Sequence, residues 1–357
     1  MNSSAFGKEL LALVSVMGCL SRPQPPDWPV SPPSQLCSDA ALAKDDFCLP
    51  ALRIEGWLKS GAFVVTHAAV TENGTTAPHK MRVRITDPGA RNISFSVKFK
   101  PVPDDLDNFN NSPRRELAAY QLQKLFLSES DYVVPPTVLH CIALEEDDLD
   151  DDDMLDNLEP FGDTGCALGI MAYWLENVTD EDVLDDDRAS RNQRYREHLG
   201  NLNAHTMLVG HQDDIGNNFL RATDPQRPRV FSIDNGLSLH AMGHNPIRFF
   251  SSAWSDRRVD WMPERTVKRL RGIDRRDLEK LSVLAQLELR GDEIVSVAEA
   301  APFDRNEGVR QKGRVLQLGL TAEEITEISA HLGELLGSIE SGDLKVERRY
   351  GNKPKRR

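Results

Sequence analysis

Apolar and polar residues alternate with period two through much of the first half of the chain, and recur at three and four later on. Phe63 to Val70 and Met81 to Ile85 read as two strands joined by the polar segment Thr71 to Pro78. A third strand, Ile93 to Pro101, alternates so that Lys98 points away from Val97 and Phe99. Ser112 before Pro113 marks a helix start, and Leu117, Tyr120 and Leu125 give that helix, through Phe126, a buried stripe. Thr137 to Leu144 and Cys166 to Leu175 are further strands, and Tyr195 to Met207 is a helix. Phe219-Leu220, the turn Pro225 to Pro228 and Val230 to Ile233 form a hairpin. Beyond Gly236 the pattern predicts mostly helix. Asp274 to Leu289 carries a stripe at Leu278, Leu281, Leu284, Ala285 and Leu289, Arg265 to Arg276 reads as amphipathic, and Thr321 to Glu324 opens a capped helix running to Ile339. Early strands and later helices predict an α+β fold of two lobes, a small antiparallel sheet with one helix and a larger, mostly helical partner.

The polar positions between these elements carry the chemistry. His211-Gln212-Asp213 is followed by Asn218, and Ile233 leads into Asp234-Asn235-Gly236. An Asp can orient an attacking hydroxyl, while an Asn and a second Asp at a strand end can hold a divalent ion on ATP phosphates. Upstream, strand residue Lys98 and helix residue Glu116 would supply the other half of a phosphate clamp. Taken singly, Lys98 also reads as a solvated strand lysine beside Lys100, and Glu116 as a helix-dipole carboxylate.

The ordered set Lys98, Glu116, His211-x-Asp213-x4-Asn218 and Ile233-Asp234-Asn235-Gly236 resembles the atypical branch of the protein-kinase-like superfamily. That branch includes phosphatidylinositol 3- and 4-kinases, the HipA-type serine kinases and the secretory-pathway casein-kinase family. The resemblance spans roughly residues 55 to 340 and implies a bilobal protein-kinase-like fold using ATP with Mg2+ or Mn2+. By resemblance Asp213 is the catalytic Asp, Asn218 and Asp234 hold the metal, Lys98 meets the phosphates and Glu116 holds Lys98. Gly74 and Thr75 would cap phosphates from the first hairpin, and Tyr173 and Leu175 would meet adenine at the hinge. The chain departs from the protein-kinase pattern in Asp-Asn-Gly for Asp-Phe-Gly, and in Gln212 where a loop Arg would stand. The acceptor implied is a protein Ser/Thr hydroxyl, with lipid or small-molecule hydroxyls as alternatives.

Composition adds location. The 357 residues carry a net charge of −13, which argues against a nucleic-acid partner. Glu145 to Asp153 repels itself, so residues 145–163 are expected to be a solvated insertion. Residues 1–18 resemble a bacterial lipoprotein signal ending in Gly18 before Cys19. Residues 19–50 follow as a Pro-rich tether, 51–175 as the first lobe, 176–345 as the second and 346–357 as a basic tail. A lipidated Cys19 would tether the protein in the bacterial cell envelope, with the cytoplasm as the alternative. Four further cysteines then suit an oxidising compartment, paired Cys37–Cys48 and Cys141–Cys166. An envelope lipoprotein using this fold as a binding scaffold is the competing reading.

Overall fold

Strands β1 (Phe63–Val70), β2 (His79–Ile85), β3 (Ser94–Pro101), β4 (Thr137–Ala143) and β5 (Cys166–Tyr173) form one antiparallel sheet in the order β1-β2-β3-β5-β4. These elements belong to a computed structural model that describes residues 50–71, 78–87, 93–103, 106–107, 112–144, 155, 158–211, 218–224, 228–239, 259–291, 293–297 and 303–347. Alternation explains the sheet, since Met81, Val83 and Ile85 of β2 are buried while Lys80, Arg82 and Arg84 between them are not. Helix α1 (Ala51–Ser60) precedes the sheet and ends at Gly61, whose φ of 67° is open to glycine. Helix α2 (Pro113–Phe126) follows β3 with Pro at its first position, where the missing N–H costs nothing. Glu55 ties the two helices together by accepting from Tyr120 Oη at 3.0 Å and Lys124 Nζ at 2.6 Å.

The rest of the chain stacks below. Helices α3 (Asp186–Arg191) and α4 (Gln193–Val209) lead to Gly210 in the left-handed conformation, and α4 is buried along most of its length. Strand β6 (Val178–Thr179) pairs with the hairpin β7 (Phe219–Ala222) and β8 (Val230–Ser232). Strand β9 (Trp261–Pro263) runs into helix α5 (Glu264–Leu270). The two regions are joined at Tyr132 to Val134. The Gln123 carboxamide of α2 accepts from Val133 N at 2.8 Å and Val134 N at 3.0 Å and donates to Val134 O at 2.9 Å. Ser232 N of β8 donates to Val133 O at 2.7 Å, and buried Arg229 donates to Tyr132 O at 3.0 Å.

The pattern beyond Gly236 resolves differently from its sequence reading. Helix α6 (Arg275–Glu279) is capped by Asp274 and Asp277, a single turn covers Lys280–Ser282, and the chain then extends as β10 (Ala285–Arg290). The helix expected over 274–289 stops halfway because Leu287 finds a partner in Leu316 across a sheet, a long-range contact that outweighs local period. This second sheet has the order β11-β10-β13-β12, with β11 (Glu293–Ser296), β12 (Val309–Lys312) and β13 (Val315–Leu318). Helix α7 (Ala322–Glu340) has the expected capping box, and β14 (Lys345–Glu347) pairs in parallel with β9, so the first residues of the expected tail are structured. Of the acidic insertion, residues 145–154 lie outside the described residues, but Leu155 and Leu158 are buried in the core and anchor its far end. The fold is α+β and bilobal, with an antiparallel first lobe carrying an intervening helix and an extra sheet beside it.

Cys141 and Cys166 form the expected disulfide, with Cα atoms 5.5 Å apart at the far end of the β4–β5 hairpin. Cys19, Cys37 and Cys48 lie outside the described residues.

Candidate active site

A cleft of about 450 Å3 opens between the five-stranded sheet and the β7–β8 hairpin. Its apolar wall includes Val134, Ile170, Ala172, Leu175, Val178 and Leu220, and its polar end is formed by Lys98, Lys100, Glu116, Asp234 and Asn235. The hairpin brings Asp234 there. Asp234 follows β8 at φ 55°, ψ 57°, a left-handed conformation that a short polar side chain tolerates at a cost of about 1–2 kcal/mol. Strain of this kind collects where a side chain must be aimed.

Lys100 is the hub. Its ammonium lies 2.9 Å from Asp234 Oδ1 and 3.4 Å from Glu116 Oε1, and its side chain is 5% exposed. Lys98 is 25% exposed and contacts Asp234 Oδ2 at 3.2 Å. The expectation that Glu116 holds Lys98 is therefore corrected, because Glu116 pairs with Lys100. Period-two alternation puts both lysines on one face of β3, but Lys100 lies deeper, beside α2. Lys100 is the site residue that the sequence reading passed over, and its signal was that same i, i+2 spacing from Lys98. The second Glu116 oxygen accepts from Asn235 N at 2.9 Å, and the Asn235 carboxamide accepts from Ser232 Oγ at 3.1 Å. Glu116 thus links the sheet, α2 and the Asp-Asn-Gly turn.

The charges are interlocked. Burial acts to lower the Lys100 pKa, but Glu116 and then Asp234 outweigh it and raise it. Burial likewise acts to raise Asp234, yet Lys100 and Lys98 hold its carboxyl far below the usual carboxylate range. Glu116 goes the other way, since burial pushes its carboxyl up against the pull of Lys100 and Asp234 adds to the rise. Two ammoniums and two carboxyls therefore meet in one small volume, with Asp234 the ionised acid.

At the other end, Tyr173 is buried and Leu175 lines the cleft, with Trp174, Glu176 and Asn177 completing the strand exit. Lys80 Nζ sits 4.3 Å from the centre of the Trp174 ring. Burial raises Glu176, and Lys80 and Arg82 oppose that.

Asp213 lies outside the described residues, as do Gly74 and Thr75. Both feet of the segment bearing Asp213 are fixed. Buried His211 packs its ring 4.9 Å from that of Phe219, and Ile233 N donates to Asn218 O at 2.9 Å, which sets Asn218 opposite Ile233, the residue before Asp234.

The donor set suits a magnesium or manganese nucleotide. Asp234 offers hard oxygen, the two ammoniums suit phosphate oxygens, and the apolar wall suits a base. Among the described residues no three His, Cys, Asp or Glu side chains converge as a metal cage.

No family model matches the sequence. No curated protein matches it either. Among solved structures, the chain is similar to one described as the crystal structure of the golgi casein kinase. The similarity covers 81% of this chain and 75% of that one, at 11% identity and a TM-score of 0.46. A similarity so distant transfers no residue roles.

Proposed function

We propose that the protein is an ATP- and divalent-metal-dependent phosphotransferase of the atypical kinase type, acting on protein Ser/Thr hydroxyls. The observation that carries this reading is the Lys100–Glu116–Asp234 constellation at one end of a cleft with a largely apolar wall. Lys100 and Lys98 would grip phosphate oxygens, Glu116 would hold Lys100 in place, and Asp234 with Asn218 would hold the metal. The bound ion supplies charge neutralisation on the transferring phosphoryl group. Asp213 would orient the acceptor hydroxyl from the segment whose two ends meet the hairpin. Tyr173 and Leu175 would present the base-binding edge, and Gly74 and Thr75 the phosphate-covering turn.

Thermal melting with and without Mg·ATP tests the reading. Stabilisation by Mg·ATP that is lost in Asp234→Ala supports it, and a melting temperature indifferent to nucleotide would favour the scaffold alternative.

The Cys141–Cys166 disulfide favours an oxidising compartment, and with it export to the cell envelope. No helix among the described residues is long and apolar enough to cross a membrane. A lipidated Cys19 would supply the tether. Labelled lipid on the wild type that is absent from Cys19→Ser would establish the tether.

A further inference from the structure

Arg114 and Arg115 immediately precede Glu116 on α2, and neither lines the cleft. Arg114 reaches the C-terminal part of the chain, where its Nη1 donates to Glu324 Oε2 at 2.5 Å while its Nε donates to Asp107 Oδ2 at 2.8 Å. Arg115 Nε stands 3.7 Å from Glu324 Oε1. Glu324 is the same residue that caps α7, accepting from Thr321 N at 2.8 Å while its own N donates to Thr321 Oγ1 at 3.2 Å. Arg114, Arg115 and Glu324 are all buried. Next to them, Leu117 of α2 packs in one apolar cluster with Ile170 of the first sheet and with Leu287, Leu316 and Leu318 of the second. The contact is close, since a Cβ on Gly308 would fall 2.3 Å from Arg114 Nε.

We infer that Glu324 is a positioning residue for Glu116: through Arg114 it fixes the first turn of α2 against α7 and the second sheet. The Glu116 carboxylate is thereby held within reach of both Lys100 and the Asn235 amide. A buried, charge-assisted bond at the start of the helix, backed by an apolar cluster one residue beyond Glu116, holds the first turn of α2 in place. The clamp is then assembled without a separate activation step. This consequence rests on the phosphotransferase reading, whereas the positioning itself does not.

Glu324→Gln tests it, because the carboxamide keeps the shape and an acceptor for Thr321 N but removes the charge that Arg114 meets. Two quantities are read, amide hydrogen exchange at Asn235 and the Kd of Mg·ATP by calorimetry. Exchange at Asn235 is expected to quicken about tenfold and Kd to weaken about tenfold, a coupling of the size seen between residues of one network. In a Glu116→Gln background the same change is expected to leave Kd where Glu116→Gln alone put it. Unchanged Asn235 exchange, or a Kd loss that simply adds to that of Glu116→Gln, overturns the inference. If Glu324→Gln does not fold, Arg114→Lys goes through the same cycle with the same expectations, since it keeps charge but loses the two-pronged contact. A wild type that binds no Mg·ATP overturns the phosphotransferase reading, and Asn235 exchange still decides the positioning.

Discussion

Lys98→Met and Lys100→Met delete the same charge from the same face of the same strand, yet their outcomes are expected to differ sharply. Lys100 is 5% exposed and bridges two carboxyls at 2.9 and 3.4 Å, so its loss strands the buried Glu116 and unpairs the half-buried Asp234. Breaking a buried pair costs about 3–5 kcal/mol. The Asp234 side chain is 35% exposed to the cleft and can be solvated, which places Lys100→Met at the low end, near 3 kcal/mol. Lys98 is itself 25% exposed and contacts Asp234 at 3.2 Å, an arrangement worth about 1 kcal/mol or less. Methionine fills the aliphatic volume in both variants, so packing is nearly constant. Urea titration at pH 7 reads the difference, and Mg·ATP melting shifts read its consequence. Lys100→Met is expected to lose the nucleotide shift and Lys98→Met to retain part of it. Equal destabilisation by the two variants, or a wild-type nucleotide shift in Lys100→Met, would refute the assignment of Lys100 as the hub.

Stability is also expected to fall in mild acid. Burial holds His198 and His211 down to about 3 and His205 to about 4, so each stays neutral in the fold while the unfolded chain protonates near 6.5. Below that value the unfolded state binds more protons, so stability drops as pH falls, by about 4 kcal/mol per pH unit for the three together. Denaturation midpoints that stay level between pH 7 and 5 would contradict this. A Cβ at Gly169 would lie 2.3 Å from Phe99 Cζ and 2.9 Å from Lys100 O, so Gly169→Ala should push β3 outward. The expected cost is about 1–3 kcal/mol with a weakened nucleotide shift, and calorimetric melting with and without Mg·ATP reads both. Replacing Cys141 and Cys166 by Ser opens a link across 25 residues and should cost about 3 kcal/mol, visible as equal melting of wild type and variant once reductant is added.

The first lobe was largely legible in the sequence because its strands are half-buried and alternate cleanly, as in β2, where apolar and basic residues take turns. The same regularity hid the hub. A period of two cannot distinguish Lys98 from Lys100, since both share a face, and their difference is depth relative to a helix that arrives a dozen residues later. The second sheet was illegible for a related reason. Leu284, Ala285, Leu287 and Leu289 satisfy a helical stripe and a strand alternation about equally, and the decision comes from β13, some thirty residues away in sequence. Glu324 was read from its spacing to Thr321 as a local cap. Its bond to Arg114, 210 positions distant in the chain, has no sequence signature.

The joint at Tyr132 to Val134 bears on how this chain can be inherited. Residue order suggests a seam at the exit of β5, near Trp174 to Glu176, but the bonds from Gln123, Ser232 and Arg229 converge well upstream of it. The Asn235 amide crosses the same seam to reach Glu116. A fragment ending at β5 would expose a carbonyl that Ser232 should satisfy, and the complementary fragment would lose the Tyr132 carbonyl that Arg229 meets and the Glu116 carboxyl that the Asn235 amide meets. Separating the chain at that point would therefore break the bonds that hold the two parts together. The first lobe is therefore not a transferable module, and the chain is expected to be inherited as a single piece.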